Sequence, residues 1–204
     1  MPGRLFLTTP MDEIASQLNV ENQIGVAAPR LNIAPGQEVA VVQSGGISPM
    51  RWGMIPVGRV NARGRPVMET IINARSETVF DKSAFANVGR AVVPADGWYE
   101  WTGAVRRKQA WRLRSKSGAL LFFAAITDVW VAPGDKEVPQ VATVTCEPSA
   151  QVREIHHRMG VLLSASDVPR WLTGSEAEAS ALAVPYEEGA LIVEKADDVD
   201  WTEA

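Results

Sequence analysis

A chain of 204 residues is long enough to bury a core without disulfide bonds, and its 46% hydrophobic and 22% charged residues are typical of a soluble globular protein. This composition, with a formal net charge of −4, excludes a disordered or collagen-like chain. The single cysteine, Cys146, excludes an internal disulfide and a cysteine-based zinc cluster, and no apolar run approaches the roughly 20 residues of a membrane helix. We therefore expect a cytoplasmic protein that does not enter membranes, with a monomer as its expected form.

The first predicted element is a short helix that begins after Thr9. Thr9 can cap its first turn, Pro10 suits the first helical position, and Asp12 lies at the positive end of the helix dipole. The pattern of apolar residues indicates an amphipathic helix. These residues share one face: Met11, Ile14 and Leu18.

Short strand-like segments follow, separated by glycine and proline. They cover residues 38–43, 50–55, 90–93, 110–114, 119–126 and 141–146. Residues 111–115 and 141–146 alternate two sets of side chains, which predicts strands with two distinct faces. Helices are predicted over residues 76–88 and 148–156, with one or two further turns at 168–172.

The order of these segments predicts the fold class. Strands that follow one another without long helical crossovers argue against a doubly wound parallel sheet and favour an α+β fold with a mainly antiparallel sheet. No internal repeat, low-complexity tract or Gly/Ser linker marks a boundary. We therefore expect one domain over residues 1–204, with an acidic segment at 173–204.

Charge is distributed unevenly along the chain. Residues 51–114 contain 12 Lys and Arg against 5 Asp and Glu, and 10 of these bases are Arg, whereas residues 167–204 contain 2 against 10. Arginine binds phosphate in a bidentate way that lysine cannot, so the middle block is compatible with local nucleic-acid binding. A solvated arginine-rich face explains the same counts equally well. The acidic end is predicted to be a solubilising surface.

The sequence lacks the phosphate-loop, α/β-hydrolase and common zinc motifs, so we expect no metal and no cofactor. The two histidines, His156 and His157, are adjacent, and neighbouring side chains point to different sides of a helix or a strand. They are therefore not expected to bind one metal together. A structural or surface pair and an acid–base role both stay open for them.

Two polar groups stand out for their surroundings. Glu100 lies between Tyr99 and Trp101, and burial among rings would raise its pKa toward neutrality, as in a proton shuttle. Alternatively, its carboxylate faces solvent while the rings pack. Asn73 and Arg75 are two residues apart, hence on one side of an extended chain. They can orient a substrate and hold an anion, or they can form an Asx turn and a surface ion pair.

Six short strings, taken together, resemble the SOS response-associated peptidase (SRAP) family of abasic-site processing proteins. They occur in the family's order and extend from residue 1 to about residue 172. They are GR at 3–4, NIAPGQ at 32–37, RWGMIP at 51–56, NARSET at 73–78, VPADGWYEW at 93–101 and IHHRM at 155–159. The resemblance implies an irregular, curled, barrel-like antiparallel β structure around a cleft, flanked by short helices.

The resemblance also implies an activity. SRAP proteins bind abasic sites in single-stranded DNA in the SOS response to DNA damage, and a cysteine at position two forms a stable thiazolidine cross-link with the ring-opened sugar. By position, Asn73 would orient the terminal residue and the sugar, Glu100 would shuttle protons, and His156 would help to open the sugar ring.

A DNA-binding surface is implied in the same way. Arg4, Arg75 and Arg158 would hold phosphates beside the lesion. Trp52 and Trp101 would offer flat surfaces to flanking bases, which suits binding without sequence preference. These roles agree with the arginine-rich middle block.

The sequence departs from the family at residue 2, where Pro2 replaces the cysteine, so no thiazolidine forms there. Cys146 is no substitute, because an internal residue has no free amine. If Met1 is removed, Pro2 presents a secondary amine that condenses with an aldehyde to an iminium ion, which makes a β-lyase an alternative function. If Met1 stays, that nitrogen is an amide. A lesser departure is Gly160, where proline commonly follows the last string.

A peptidase, as the family name states, is a further alternative. The residues themselves give it little support, because no cysteine or serine nucleophile stands in a recognisable constellation.

Overall fold

Strands form most of the regular structure in the computed structural model, which describes residues 2–56, 62–64, 69–81, 85, 88–104 and 107–202. In these residues the strands are β1 (Arg4–Leu7), β2 (Arg30–Ile33), β3 (Glu38–Gln43), β4 (Gly46–Trp52), β5 (Asn73–Arg75), β6 (Gly89–Ala95), β7 (Gly97–Thr102), β8 (Gln109–Ser115), β9 (Leu121–Ala132), β10 (Lys136–Cys146), β11 (Met159–Gly160), β12 (Leu162–Leu163) and β13 (Leu191–Lys195). The helices are α1 (Met11–Leu18), α2 (Ala150–Arg153), α3 (Val168–Thr173) and α4 (Glu176–Leu182).

Within the described residues the strands make two sheets. The smaller sheet has the order β13-β8-β7-β1-β2, with antiparallel neighbours throughout. The larger sheet follows the order β11-β10-β4-β3-β6-β9-β12, and β9 also pairs with β10, so the sheet curls back on itself. Strand β10 departs from the antiparallel pattern, because it pairs in parallel with β4 and β5. The predicted α+β class with a mainly antiparallel, curled sheet is confirmed.

The core lies where the two sheets meet. Trp98 from β7 and Phe123 from β9 are both buried, and their rings pack edge to face with centroids 5.6 Å apart. Residues 121–127 and 140–146 are buried along their whole length. The alternation predicted at 141–146 therefore separates two covered faces, not a buried face from a solvated one.

Helix α1 confirms the first prediction but not its cap. It begins at Met11 after Pro10 and has no side-chain cap. The hydroxyl of Thr9 donates instead to Asp96 Oδ1 at 2.6 Å, and the backbone amides of Thr8 and Thr9 donate to the other oxygen of that carboxylate. Asp96 thereby ties the start of α1 to the turn between β6 and β7.

The predicted helix at 76–88 is wrong where the structure describes it. Residues 76–81 form turns, and the amide of Ser76 donates to the carbonyl oxygen of Thr145 at 2.8 Å, which extends the pairing of β5 with β10. A contact distant in sequence thus overrides the local helix preference. The other residues of that prediction lie outside the described part: 82–84 and 86–87.

The predicted helix at 148–156 is reduced to the single turn of α2. The ring of His156 accepts a hydrogen bond from the amide of Arg158 at 3.0 Å, which turns the chain away from the helix axis. Helix α3 confirms the turns predicted at 168–172. In the described part of the chain, no helix combines the length and the apolar character needed to cross a membrane.

The predicted strands all have counterparts. The prediction at 38–43 matches β3, and the other segments overlap longer strands. The prediction at 50–55 extends too far, because β4 ends at Trp52, before Gly53 adopts a φ of +127°. No sequence pattern predicts seven of the described strands: β1, β2, β5, β7, β11, β12 and β13.

Candidate active site

The amide of Asn73 connects the start of the chain to strand β10. Strand β5 runs parallel to β10, with Asn73 opposite Thr143. Asn73 Nδ2 donates to the carbonyl oxygen of Pro2 at 3.4 Å, and Thr143 Oγ1 donates to Asn73 Oδ1 at 2.5 Å. Two of the predicted site residues, Pro2 and Asn73, are therefore in contact.

Pro2 is buried and lies beside Gly160 of β11. A Cβ atom at position 160 would stand 3.4 Å from Cγ of Pro2 and 2.5 Å from the ring of Phe123. The second distance is too short for a real Cβ contact unless the ring moves. Glycine at position 160 therefore leaves the space that the proline and phenyl rings occupy, which gives the departure at this position a structural reason.

The carboxyl group of Glu100 lies near the start of the chain. Strand β7 pairs with β1 so that Tyr99 faces Arg4, and the same register continued by one residue puts Gly3 beside Glu100. Glu100 is 3% exposed. Burial raises the pKa of Glu100 to about 7, while the positive charge of the amino terminus acts in the opposite direction. The carboxyl group therefore faces the interior, not solvent, and it can exchange protons near neutral pH.

The ring of His156 is partly buried and neutral at pH 7. Burial, together with the positive charge of the amino terminus, lowers its pKa to about 4. Nδ1 lies 3.0 Å from the amide nitrogen and 3.1 Å from the carbonyl oxygen of Arg158, so either tautomer of the neutral ring has a hydrogen-bond partner on that residue. His157 stacks on His156 with ring centroids 4.3 Å apart, so the prediction that the two side chains point to different sides is wrong.

Strand β7 separates the buried carboxyl group from an aromatic outer face. Trp98 belongs to the main core, whereas Tyr99 and Trp101 belong to a second apolar cluster. Side chains alternate along a strand, so Glu100 lies on the core side with Trp98. The ring of Trp201 packs edge-on against Tyr99 and Trp101, with centroids 5.0 and 5.2 Å away. Trp101, predicted to stack on a base, is therefore on the opposite side of the sheet from Glu100 and is in contact with Trp201.

Arg4 lies on this outer face as well, because it is paired with Tyr99 across β1 and β7. Its Nη1 donates to Asn32 Oδ1 at 2.6 Å. Asn32 Nδ2 in turn donates to the carbonyl oxygen of Asp200 at 3.1 Å. The structure thus does not bring Arg4 to the side of the sheet that carries Glu100.

Two predicted DNA contacts are contradicted by burial. Trp52 is 0% exposed, and its Nε1 donates to the carbonyl oxygen of Ile72 at 3.3 Å, so it has no face for a base.

The second of these contacts is Arg158, which is 9% exposed. Its guanidinium group binds the carboxylate of Glu77 with both terminal nitrogens, at 2.5 and 2.8 Å, and also donates to the carbonyl oxygen of Thr145 at 2.6 Å. Arg158 therefore supports the segment that carries His156 and does not present its charge to a phosphate.

Arg75 is the predicted phosphate ligand that remains at the surface. It is exposed, whereas Ala74 is buried, so Arg75 and Asn73 lie on the same side of β5. A cation is thereby available on the same side of β5 as the amide of Asn73.

The acidic segment at 173–204 contacts the arginine-rich block. Strand β13 pairs with β8. Glu194 Oε1 lies 3.0 Å from Nε of Arg114 and 3.6 Å from Nη1 of Arg112, and Asp198 Oδ1 lies 2.9 Å from Nη2 of Arg112. The segment is thus part of the fold and neutralises some of the positive charge, which corrects the prediction of a merely solubilising surface.

A nucleophilic thiol is not available to the site. Cys146 is the only cysteine of the chain, it is buried, and burial raises its pKa to about 12. It therefore stays protonated near neutral pH. Among the described residues, no group of three His, Cys, Asp or Glu side chains is placed to hold a metal ion.

The fold and the site define an α+β protein with a curled β structure. It buries the carboxyl group of Glu100 near its first strand and holds the amide of Asn73 to residue 2. The chain matches the family described as SOS response associated peptidase (SRAP) over residues 1–199, and it belongs to that family. The resemblance inferred from the six strings is confirmed, and the match extends beyond residue 172.

Similar proteins agree with this assignment. The chain is 30% identical to the abasic site processing protein YoaM of Bacillus subtilis (strain 168) over 200 residues, which cover 92% of this chain and 87% of that protein. It is 31% identical to the abasic site processing protein YedK of Escherichia coli (strain K12) over 163 residues, 76% of this chain and 70% of that one. A solved structure from Bacteroides thetaiotaomicron has the same fold, with a TM-score of 0.83 at 18% identity over 96% of this chain and 92% of that one.

Proposed function

We propose that this protein binds abasic sites in single-stranded DNA as part of a DNA-damage response, and that its second residue meets the sugar aldehyde without forming a lasting cross-link. Membership of the SRAP family supports the proposal, as do the relatives YoaM and YedK, both named abasic site processing proteins. The observation that carries it is the hydrogen bond from Asn73 Nδ2 to the carbonyl oxygen of Pro2 at 3.4 Å. This bond places the Asn73 amide, proposed to orient the sugar, next to Pro2, the residue proposed to contact the sugar.

Each proposed site residue has a task that suits its state. A baseless sugar exchanges between a closed ring and an open aldehyde. Neutral His156, with its proton on Nε2, donates that proton to the ring oxygen as the sugar opens. Glu100, with a pKa of about 7, accepts the proton of the C1′ hydroxyl group as the carbonyl forms and returns it when the ring closes. Arg75 holds a phosphate beside the lesion. Pro2 has no thiol, so capture stops before a thiazolidine.

Equilibrium binding tests this proposal. Labelled single strands of the same sequence, with and without one abasic site, are titrated with protein at several salt concentrations. We expect tighter binding to the abasic strand and an affinity that falls with salt, because phosphate contacts release counterions. Equal affinity for both strands without a salt dependence contradicts the proposal.

Arg75 gives this experiment a matched pair of variants. Arg75→Ala is expected to weaken binding to both strands and to reduce the salt slope by about 1, as for the loss of one phosphate contact. Lys136→Ala is the control. Lys136 is exposed and lies nine residues along β10 from Thr145, the partner of Arg75. An equal effect of both substitutions would show that the binding surface is elsewhere.

A second candidate function is cleavage of the strand by a β-lyase reaction through Pro2. The place of Pro2 in the candidate site favours it, because the amine of a chain that starts at Pro2 would lie beside Asn73. The reaction requires a chain that starts at Pro2. The secondary amine then adds to the aldehyde carbon and loses water to give an iminium ion. Glu100 removes a proton from C2′, the C3′–O bond breaks, and the 3′ phosphate leaves; water then releases the sugar and restores Pro2.

Intact-mass measurement first identifies protein that begins at Pro2. This protein is incubated with a labelled abasic strand, with and without sodium borohydride. We expect a shortened strand without borohydride and a reduced adduct, mapped to Pro2, with it. Protein that keeps Met1 is the matched control and should give neither product at Pro2. Absence of both products from the Pro2 form rules out the lyase.

A further inference from the structure

We propose that Thr143 is a positioning residue that holds the amide of Asn73 with Nδ2 turned toward the start of the chain. The inference rests on the proposed function, in which Asn73 orients residue 2 and the sugar. Thr143 itself has no contact with the DNA in this account, and it acts only through Asn73.

The two hydrogen bonds of the Asn73 amide differ in length. The bond from Nδ2 to the carbonyl oxygen of Pro2 is 3.4 Å, near the limit for such contacts, whereas the bond from Thr143 Oγ1 to Oδ1 is 2.5 Å. A long bond restrains an amide weakly. The position of the group is therefore fixed mainly by the hydroxyl of Thr143, whereas the carbonyl oxygen of Pro2, which only accepts, decides which end of the amide faces it.

The anchor is itself rigid. Thr143 is 0% exposed and lies in the middle of β10, where it pairs with Ala125 of β9 on one side and with Asn73 of β5 on the other. Its backbone amide also donates to the carbonyl oxygen of Ile72 at 3.1 Å, immediately before Asn73. The same residue thus fixes both the backbone and the side chain at the site.

An amide offers an oxygen at one end and a donor at the other, so its two orientations are chemically different. The carbonyl oxygen of Pro2 only accepts hydrogen bonds, and it requires Nδ2 on its side. Without the hydroxyl of Thr143, Oδ1 would face an apolar methyl group in a buried strand. The amide would then rotate or swing out, because an unpaired buried oxygen is costly.

A double-mutant cycle tests the inference. Thr143→Val removes the hydroxyl but keeps the shape and the β-branched side chain, Thr143→Ser restores the hydroxyl, and Asn73→Ala removes the amide. We expect Thr143→Val to reduce the preference for abasic over intact strands by about three- to tenfold. Thr143→Ser should stay near wild type. In the Asn73→Ala background, Thr143→Val should have no further effect on that preference.

A buried threonine of the same sheet supplies the control. Thr127 Oγ1 donates to the carbonyl oxygen of Gln140 at 2.9 Å, not to a predicted site residue. Thr127→Val is therefore expected to lower stability without changing the preference for abasic strands. If Thr143→Val does not fold, Thr143→Ala takes its place in the cycle. Independent, multiplying effects of the Thr143 and Asn73 substitutions overturn the inference.

A second readout separates this inference from the proposed function. The side-chain NH₂ group of Asn73 is followed by NMR in the protein without DNA. Thr143→Val should shift and broaden its signals, and Thr143→Ser should restore them. Unchanged signals in Thr143→Val overturn the positioning role, whatever the DNA results. If the wild type does not prefer abasic strands while Thr143→Val shows the expected NMR shifts, the proposed function is contradicted and the hydrogen bond from Thr143 to Asn73 is still supported.

Discussion

The carboxyl group of Glu100 binds its proton more tightly in the folded chain than in the unfolded one. Burial raises its pKa from 4.5 to about 7, so the folded state holds more protons between these values. Stability from this group is therefore present in full below pH 4.5 and is lost as the pH rises to about 7. The buried carboxyl group thus lowers stability at neutral pH, a cost that the proposed proton-transfer role of Glu100 would explain.

Glu100→Gln should recover that stability. Because the amide does not ionise, we expect the free energy of unfolding at pH 8 to increase by up to about 3 kcal/mol. At pH 4 the variant and the wild type should differ little. Urea unfolding at both pH values measures the two differences. An increase of the same size at both pH values would mean that packing, not ionisation, causes it.

His156 has the opposite dependence on pH. Burial lowers its pKa from 6.5 to about 4, so the unfolded chain binds the proton first. Stability is expected to fall as the pH decreases from 6.5 toward 4. The ring protons of His156, followed by NMR, should titrate with a midpoint near pH 4. A midpoint near pH 6.5 would contradict the buried, neutral ring on which its proposed donor role depends.

At the scale of the elements, pairing across the sheet decides what local sequence cannot. Short apolar segments bounded by Gly and Pro locate β3 and at least half of β6, β8, β9 and β10 in the sequence alone. They do not locate β5, whose three residues become a strand only because β10 offers a parallel edge. The same edge of β10 accepts a hydrogen bond from the amide of Ser76, and this pairing replaces the start of the helix predicted at 76–88.

Residue types and the family strings predict candidate site residues, but not which of them are in contact or which side of the sheet they occupy. The sequence leaves Glu100 either buried or facing solvent; the structure has it buried with a raised pKa, but on the side of β7 opposite Tyr99 and Trp101. Which face of β7 is covered by Trp201 depends on a residue about 100 positions later in the chain, and the pairing of Arg158 with Glu77 joins residues 81 apart. No local pattern contains either fact. Thr143 was missed because a hydroxyl in an apolar strand has no signal of its own.

Strand β11 provides a prediction at this scale. Gly160→Ala puts a Cβ atom 2.5 Å from the ring of Phe123 and 3.4 Å from the ring of Pro2, so the site must expand. We expect a loss of about 1–3 kcal/mol in the free energy of unfolding, as for other overpacked cores. Gly45→Ala is the control, because a Cβ atom there meets nothing within 4 Å. Similar effects of both substitutions would show that the space beside Pro2 is not tight.

For the whole molecule, the last described residues close the outer face of the smaller sheet. The main core includes residues from Leu5 to Leu191, so both ends of the chain contribute to it. Beyond β13, Asp198 binds Arg112, Trp201 covers Tyr99 and Trp101, and Asn32 donates to the carbonyl oxygen of Asp200. These contacts join the acidic segment to β2, β7 and β8. We propose on this basis that residues 1–204 form one domain.

One cooperative unfolding transition is the expected consequence of this arrangement. Tryptophan fluorescence and far-UV circular dichroism should give the same urea midpoint. Trp201→Ala should lower that midpoint for both signals and cost about 1–3 kcal/mol, because it removes an aromatic side chain from two ring contacts. Trp201→Phe keeps an aromatic ring and should cost less. Two separate transitions, or a Trp201→Ala variant with unchanged stability, would mean that the acidic segment folds apart from the sheets it covers.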